Sequence, residues 1–261
     1  DHRDLHSFPT RRSSDLLTTG AQLHYEDTGG DKTPLLVIHG WLGTAALHFP
    51  RVTAWLEDRY RVIGPSLRGY GQSTPKPRRF PVDFYHRDAQ DVLAFMDALG
   101  LEQAHILGYS DGGEVALIAA GTAPERFKSV MTIGAVGYFG PAMRPAVQRS
   151  YPGDWITEEE VNLHGIADRN AFVLDWIHAM KHMIDAGGDV SLSLAPNIRA
   201  PLLLMLGKDD TLNPQEYGQR LVDRAPRGRL VMFDCGHAIH DLQWDAFQRE
   251  VGAFLKEVNG S

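Results

Sequence analysis

LGYSDGGEVAL, residues 107–117, holds one serine between glycines two positions away on either side, and an acid follows the serine directly. An apolar run, AHILG at residues 104–108, leads into it, and residues 113–120 after it are rich in helix formers. A serine on a tight turn between a strand and a helix has the setting of a nucleophile elbow. The turn is strained, so the neighbours two positions away must be small enough not to collide. Ser110 is therefore the candidate nucleophile. Asp111 is the odd neighbour, because acyl transfer builds negative charge beside it.

Outward from the elbow, short apolar runs alternate with helix-like segments. QLHYED (residues 22–27) alternates in the strand period, and PLLVIH (34–39) and YRVIG (60–64) read as buried strands. Residues 83–99 read as a helix with Val92, Phe95, Met96 and Leu99 on one face, stopped by Gly100. SVMTIGA (129–135) is a strand again. From 138 to 187 the rhythm breaks into helix-like patches with Trp155, Phe172, Trp176, Met180 and Met183. It resumes with PLLLMLG (201–207), a helix from about Pro214, RLVMFD (229–234) and a closing helix from about Asp241. Repeated strand–helix units predict an α/β fold with a mostly parallel central sheet and helices on both faces. The expected division is a first part of the core at 17–137, a small helical cap inserted at 138–187, and a second part of the core at 188–261.

A serine hydroxyl is a weak nucleophile and needs a base that an acid orients. With an elbow of this kind the partners follow in the order Ser, Asp or Glu, His, each after a strand. GKDDTLNP (207–214) supplies Asp209 and Asp210, and DCGHAIHD (234–241) supplies His237 and His240, each directly after a strand-like run. Acids and histidines in loops are usually just solvated; three in the right order at three strand ends form a set. VIHGWLG (37–43) follows the early strand as an oxyanion loop should. The backbone N–H groups of Trp41 and Asp111 are the candidate oxyanion donors, with Leu42 as the alternative to Trp41. Trp155, Trp176, Phe172 and the cap methionines either line a pocket or simply fill the cap core.

Composition removes other classes. Net charge is −7 with no basic run to track a phosphate backbone, so no nucleic-acid partner is expected. No apolar stretch reaches the roughly 20 residues that span a membrane, so no membrane partner is expected either. One cysteine, Cys235, excludes an intrachain disulfide and fits a reducing, cytoplasmic setting; beside the catalytic loop it reads as a small packing residue. His178 and His182 stand four apart, but no glutamate follows His178 as a metalloprotease helix requires, so no metal is expected. Residues 1–16 are polar, show no helical or strand period, and include FPTRRSSDL, which looks like a translated sequencing adaptor. They are expected to be a non-native or disordered leader outside the fold.

HGWLG, LRGYGQS, LGYSDGG, GKDD and GHAIH together resemble the α/β-hydrolase superfamily. More narrowly, residues 78–117 resemble its biphenyl-hydrolase-like, or valacyclovirase, branch. The resemblance runs from about residue 20 to the C-terminus and is weakest in the cap. It implies an α/β-hydrolase fold, a Ser110–His237–Asp210 triad, and no cofactor. Asp209 then becomes a surface turn residue, and His240 a pocket or supporting group. The serine disfavours epoxide hydrolase and haloalkane dehalogenase relatives, which use an aspartate there. Two departures are GPSLRGYG (64–71), where relatives tend to carry Asp-Pro before the arginine, and Trp244, where many carry proline.

The implied activity is hydrolysis of a small carboxylic ester with water. Relatives in this branch cleave α-amino acid esters, the matching acid holding the amine. Asp111 thus has two readings: a helix-terminal carboxylate answering the dipole, or a substrate contact. Leu42, Trp155, Trp176 and His240 are the further candidate contacts. Rival uses of the same machinery are lactone opening, perhydrolysis or haloperoxidation, carbon–carbon bond hydrolysis, and slow hydrolysis in a ligand receptor.

Overall fold

Each apolar run becomes a strand covered on both faces, as a parallel sheet requires. A computed structural model describes residues 10–260. Its strands are β1 (Thr10–Ser13), β2 (His24–Asp27), β3 (Pro34–Ile38), β4 (Arg61–Pro65), β5 (Ala104–Tyr109), β6 (Phe127–Ile133), β7 (Leu202–Gly207) and β8 (Gly228–Phe233). They form one eight-stranded sheet in the order β1-β2-β4-β3-β5-β6-β7-β8. The β1–β2 and β2–β4 pairs are antiparallel, and every later pair is parallel.

Helices α1 (Ala45–His48) and α2 (Pro50–Leu56) follow β3, α3 (Phe84–Ala98) follows β4, and α4 (Asp111–Thr122) follows β5. Between β6 and β7 lie α5 (Arg144–Arg149), α6 (Glu158–His164) and α7 (Arg169–Asp185). α8 (Gln215–Val222) joins β7 to β8, and α9 (Ile239–Leu242) and α10 (Trp244–Asn259) close the chain. One hydrophobic cluster includes Phe84, Val92 and Phe95 of α3, Val115 and Ile118 of α4, and Val173, Trp176 and Ile177 of α7. A second joins Val37, Leu107 and Met205 of the sheet to Val52 of α2 and to Phe247, Val251 and Phe254 of α10. Because β3, β5, β7 and β8 run parallel, the loops after them open on one edge of the sheet, where such folds hold their ligands.

Two expectations are corrected here. The leader is not wholly outside the fold: Thr10–Ser13 pair with β2 as an edge strand, and Ser14 Oγ accepts the Leu23 N–H at 2.9 Å. An edge strand whose Arg12 and Ser13 face solvent needs no apolar pattern, so no period announced it. Residues 1–9 of that leader lie outside the described residues. The closing helix is also two pieces, α9 and α10, with Trp244 first in α10. Proline is tolerated at that first helical position, so another residue can replace it without altering the backbone. Arg51 stacks over the Trp244 ring at 4.3 Å.

Candidate active site

Ser110 joins β5 to α4 with φ 55° and ψ −122°, a conformation that costs on the order of 1–3 kcal/mol unless its surroundings enforce it. They do. Ser110 N–H donates to Ile133 O at 2.7 Å, and Ser110 O accepts from Gly113 N–H at 2.8 Å and Glu114 N–H at 3.2 Å. A Cβ on Gly108 would collide with the Gly112 carbonyl, and one on Gly112 with the Ile38 carbonyl. The loop after β3 comes just as close: a Cβ on Gly40 would stand 2.9 Å from Ser110 Cβ.

His237 follows β8 and Asp210 follows β7, and His237 Nδ1 lies 2.6 Å from Asp210 Oδ2. Asn213 Nδ2–H donates to the same oxygen at 2.9 Å, and Leu212 N–H to Asp210 Oδ1 at 2.9 Å. Burial raises the Asp210 pKa, but the His237 hydrogen bond and charge, with these donors, outweigh it and hold the carboxyl below its ordinary value. Asp210 is thus a buried anion that orients the imidazole. The His237 ring packs over Gly134, whose positive φ of 64° leaves no room for a side chain. Ser110 and Gly134 line the same cavity, although Ser110 Oγ forms no hydrogen bond to His237 in this arrangement.

That cavity is nearly closed, with a volume of only about 10 Å³. Phe139, Met143, Trp176, Met180 and Leu212 make its apolar wall, and two carboxyl groups, Asp111 and Glu114, face it beside Ser110. Asp111 Oδ1 accepts the Tyr85 hydroxyl at 2.7 Å, whereas Oδ2 is buried with no protein partner. Burial pushes this carboxyl up to about 6, against the Tyr85 hydrogen bond and the Arg78 charge. Glu114 is raised to about 7 by burial, partly offset by the N–H groups of Val136 (2.8 Å) and Gly137 (3.1 Å). Asp111 stands in the first turn of α4, where a carboxylate answers the helix dipole, but it accepts no N–H of that helix among the described residues. Its carboxylate turns into the cavity.

A family model described as the α/β-hydrolase fold matches residues 33–170, just over half of the sequence. The chain belongs to the α/β-hydrolase fold family. Within it, it is similar to the serine hydrolase BPHL of Homo sapiens, at 30% identity over 257 residues, covering 94% of this chain and 86% of that protein. This places it in the biphenyl-hydrolase-like branch. A 2-hydroxy-6-oxononadienedioate/2-hydroxy-6-oxononatrienedioate hydrolase from Burkholderia vietnamiensis is 27% identical, covering 91% of this chain and 92% of its own. Among solved structures, a thermophilic esterase from Thermogutta terrifontis superposes with a TM-score of 0.72 at 22% identity, covering 95% of this chain and 99% of that one.

The remaining candidates of this hydrolase divide by position. The backbone N–H groups of Trp41 and Asp111 donate no hydrogen bond among the described residues. Trp176, 2% exposed, lines the cavity and stacks on Trp41 at 4.2 Å, with Phe172 stacked at 6.2 Å on the same ring. Trp155 does not line this cavity: it is 47% exposed, and its ring stands 5.3 Å from that of Trp41. Leu42 does not line it either. Its side chain is buried in the core, its φ is +56°, and its carbonyl lies 3.1 Å from His164 Nε2.

His240 does not reach the cavity either. It sits in α9 beneath Tyr109, its Nε2–H donating to His48 O at 3.0 Å. Asp209 is exposed, and Cys235 is buried in the second cluster with its thiol pushed up by burial. His178 and His182 are both exposed on α7, and no group of three or more metal-ligating side chains gathers among the described residues. No helix among them is long and apolar enough to cross a membrane. Sequence reasoning missed Tyr85, Glu114 and Asn213. Glu114 alone carried a signal, three residues after Asp111 on the same helix face.

Proposed function

We propose that this hydrolase cleaves carboxylic esters through an acyl-enzyme on Ser110, and that its preferred substrates are small esters of α-amino acids. His237 takes the hydroxyl proton as Ser110 Oγ attacks the ester carbonyl, and Asp210 stabilises the imidazolium that results. The N–H groups of Trp41 and Asp111 bind the oxyanion. His237 then passes the proton to the leaving alcohol. In the second half it takes a proton from water, which attacks the acyl-enzyme, and gives that proton to Ser110 Oγ as the acyl–oxygen bond breaks and the acid leaves.

The observation that carries the substrate class is the buried, unpartnered Asp111 Oδ2 beside the nucleophile. Two like charges about 4 Å apart repel by roughly 4 kcal/mol at an effective dielectric near 20, so a bare carboxylate there opposes the oxyanion. A substrate ammonium reverses that sign. By the same reasoning the cavity disfavours anionic substrates, such as the dioates in the name of the Burkholderia relative.

The test is a paired assay of an α-amino acid ester and its N-acetyl counterpart on wild type and Asp111→Asn. The free-amine ester should lose about 30-fold or more in kcat/KM, since breaking a buried charge pair costs about 2–5 kcal/mol, and the N-acetyl ester should change little. Equal losses on both would remove the ammonium reading and leave the esterase.

A further inference from the structure

Residues 40–43 form a tight turn closed by Gly43 N–H to Gly40 O at 3.2 Å, with Trp41 and Leu42 at its centre. A positive φ at the third residue of such a turn calls for glycine or asparagine, yet Leu42 stands there at +56°. A non-glycine residue persists in that region only when its surroundings hold it, against a cost of about 1–3 kcal/mol. The core holds the first residue from both sides. His39 accepts Leu67 N–H on Nε2 at 2.8 Å, which leaves the Nδ1 proton to donate to Gly40 O at 2.8 Å. His48 Nδ1 accepts Gly40 N–H at 3.1 Å.

Leu42 is held from elsewhere. His164, the last residue of α6, is 1% exposed and stands edge-on to Tyr70 at 5.2 Å. Its Nδ1 accepts Gly71 N–H at 3.1 Å, so the ring proton is on Nε2, which donates to Leu42 O at 3.1 Å. Burial depresses its pKa to about 4, so the neutral tautomer that makes both bonds persists at neutral pH. One imidazole from the inserted helices thus clamps two backbone positions of positive φ, Leu42 and Gly71 at +52°. The same insertion grips the neighbouring turn residue, since Trp176 and Phe172 of α7 stack on the Trp41 ring.

We propose that His164 is a positioning residue for the reaction: by holding the Leu42 carbonyl it keeps the 40–43 turn in the conformation that presents the Trp41 N–H to the substrate oxyanion. The proposal rests on the reading of Trp41 as an oxyanion donor. Relaxation of Leu42 to negative φ rotates the Trp41–Leu42 peptide and tilts the Gly40–Trp41 peptide joined to it, which carries the Trp41 N–H, and a misplacement of about 1 Å near the chemistry can cost about 100-fold in rate. Without His164 the inserted helices would cover the site but no longer set it.

The test compares a p-nitrophenyl ester with the thionoester of the same acid on wild type, His164→Asn and His164→Gln. Sulfur is a poor acceptor for oxyanion donors, so the wild type should prefer the ester by more than about tenfold. Asparagine can still meet Gly71 N–H but is too short for Leu42 O; glutamine reaches Leu42. His164→Asn should lose about 10- to 100-fold in kcat on the ester with KM within about twofold, and lose far less on the thionoester. His164→Gln should keep most of the preference. An unchanged preference in His164→Asn overturns the role of His164, whatever its kcat. A wild type without preference overturns the oxyanion reading beneath it. Should His164→Asn not fold, His164→Phe carries the comparison, because its ring keeps the packing against Tyr70 and gives up both hydrogen bonds.

Discussion

At the scale of the residue, the acid after the nucleophile is explained by where its two oxygens point. Tyr85 occupies one, and the other faces the cavity. An ammonium site works only while Asp111 is ionised, and burial puts its pKa at about 6. The ratio of kcat/KM for the free-amine ester to that for the N-acetyl ester should therefore rise from pH 5 to 7. A flat ratio across that range would contradict the charge pairing. Glu114 gives a separate pH effect, on stability. It keeps its proton to about pH 7 when folded, against an ordinary value of 4.5. Between those values the folded chain binds a proton that the unfolded chain has released, so this residue's contribution falls as pH rises. Melting curves should show Glu114→Gln gaining on wild type between pH 5 and 7.5, and no relative gain would contradict the raised pKa. Ser110 was legible because it follows an apolar strand run; the later strand ends offered Asp209 or Asp210 and His237 or His240, and only the family resemblance singled out Asp210 and His237. Tyr85 was not: its hydroxyl meets Asp111 across 26 positions of sequence, and only packing of α3 on α4 brings them together.

At the scale of the element, α3 is fixed by a pair that sequence could not match. Arg78, in the segment before α3, makes two hydrogen bonds to Asp88 within it, at 2.9 and 2.6 Å, and both side chains are 1% exposed. Arg78 also sits over the rings of Tyr70 and Phe80, each at 4.9 Å. Removing one partner of a buried pair leaves an uncompensated charge, which costs about 3–5 kcal/mol. Asp88→Asn should lower Tm by roughly 10 °C in calorimetry. A change of under about 2 °C would mean that water or a neighbouring group takes up the Arg78 charge. The buried parallel strands were readable as continuous apolar runs. Strand β1 was not, because its Arg12 and Ser13 are exposed polar side chains and show no apolar alternation. The short helices α1 and α2 also went unread, since four and seven residues are too few to display a helical period.

At the scale of the molecule, the inserted helices and the sheet share one interior. Val173, Trp176 and Ile177 of α7 belong to the same cluster as Ile38 of β3 and Ala116 of α4. Loss of strand rhythm marked where this insertion begins and ends. It could not show that His164 and Trp176 would lean on the 40–43 turn, because those contacts join distant parts of the chain. The parallel order of β3, β5, β7 and β8 makes the site possible: it brings Trp41, Ser110, Asp210 and His237 to one edge of the sheet. The most direct test is intact-mass measurement after brief exposure to a chromogenic ester under conditions that trap the acyl-enzyme, followed by peptide mapping. The expected result is one acyl group per chain on the peptide carrying Ser110, with both the adduct and turnover lost in Ser110→Ala. An adduct on another residue, or substantial turnover in Ser110→Ala, would contradict the mechanism.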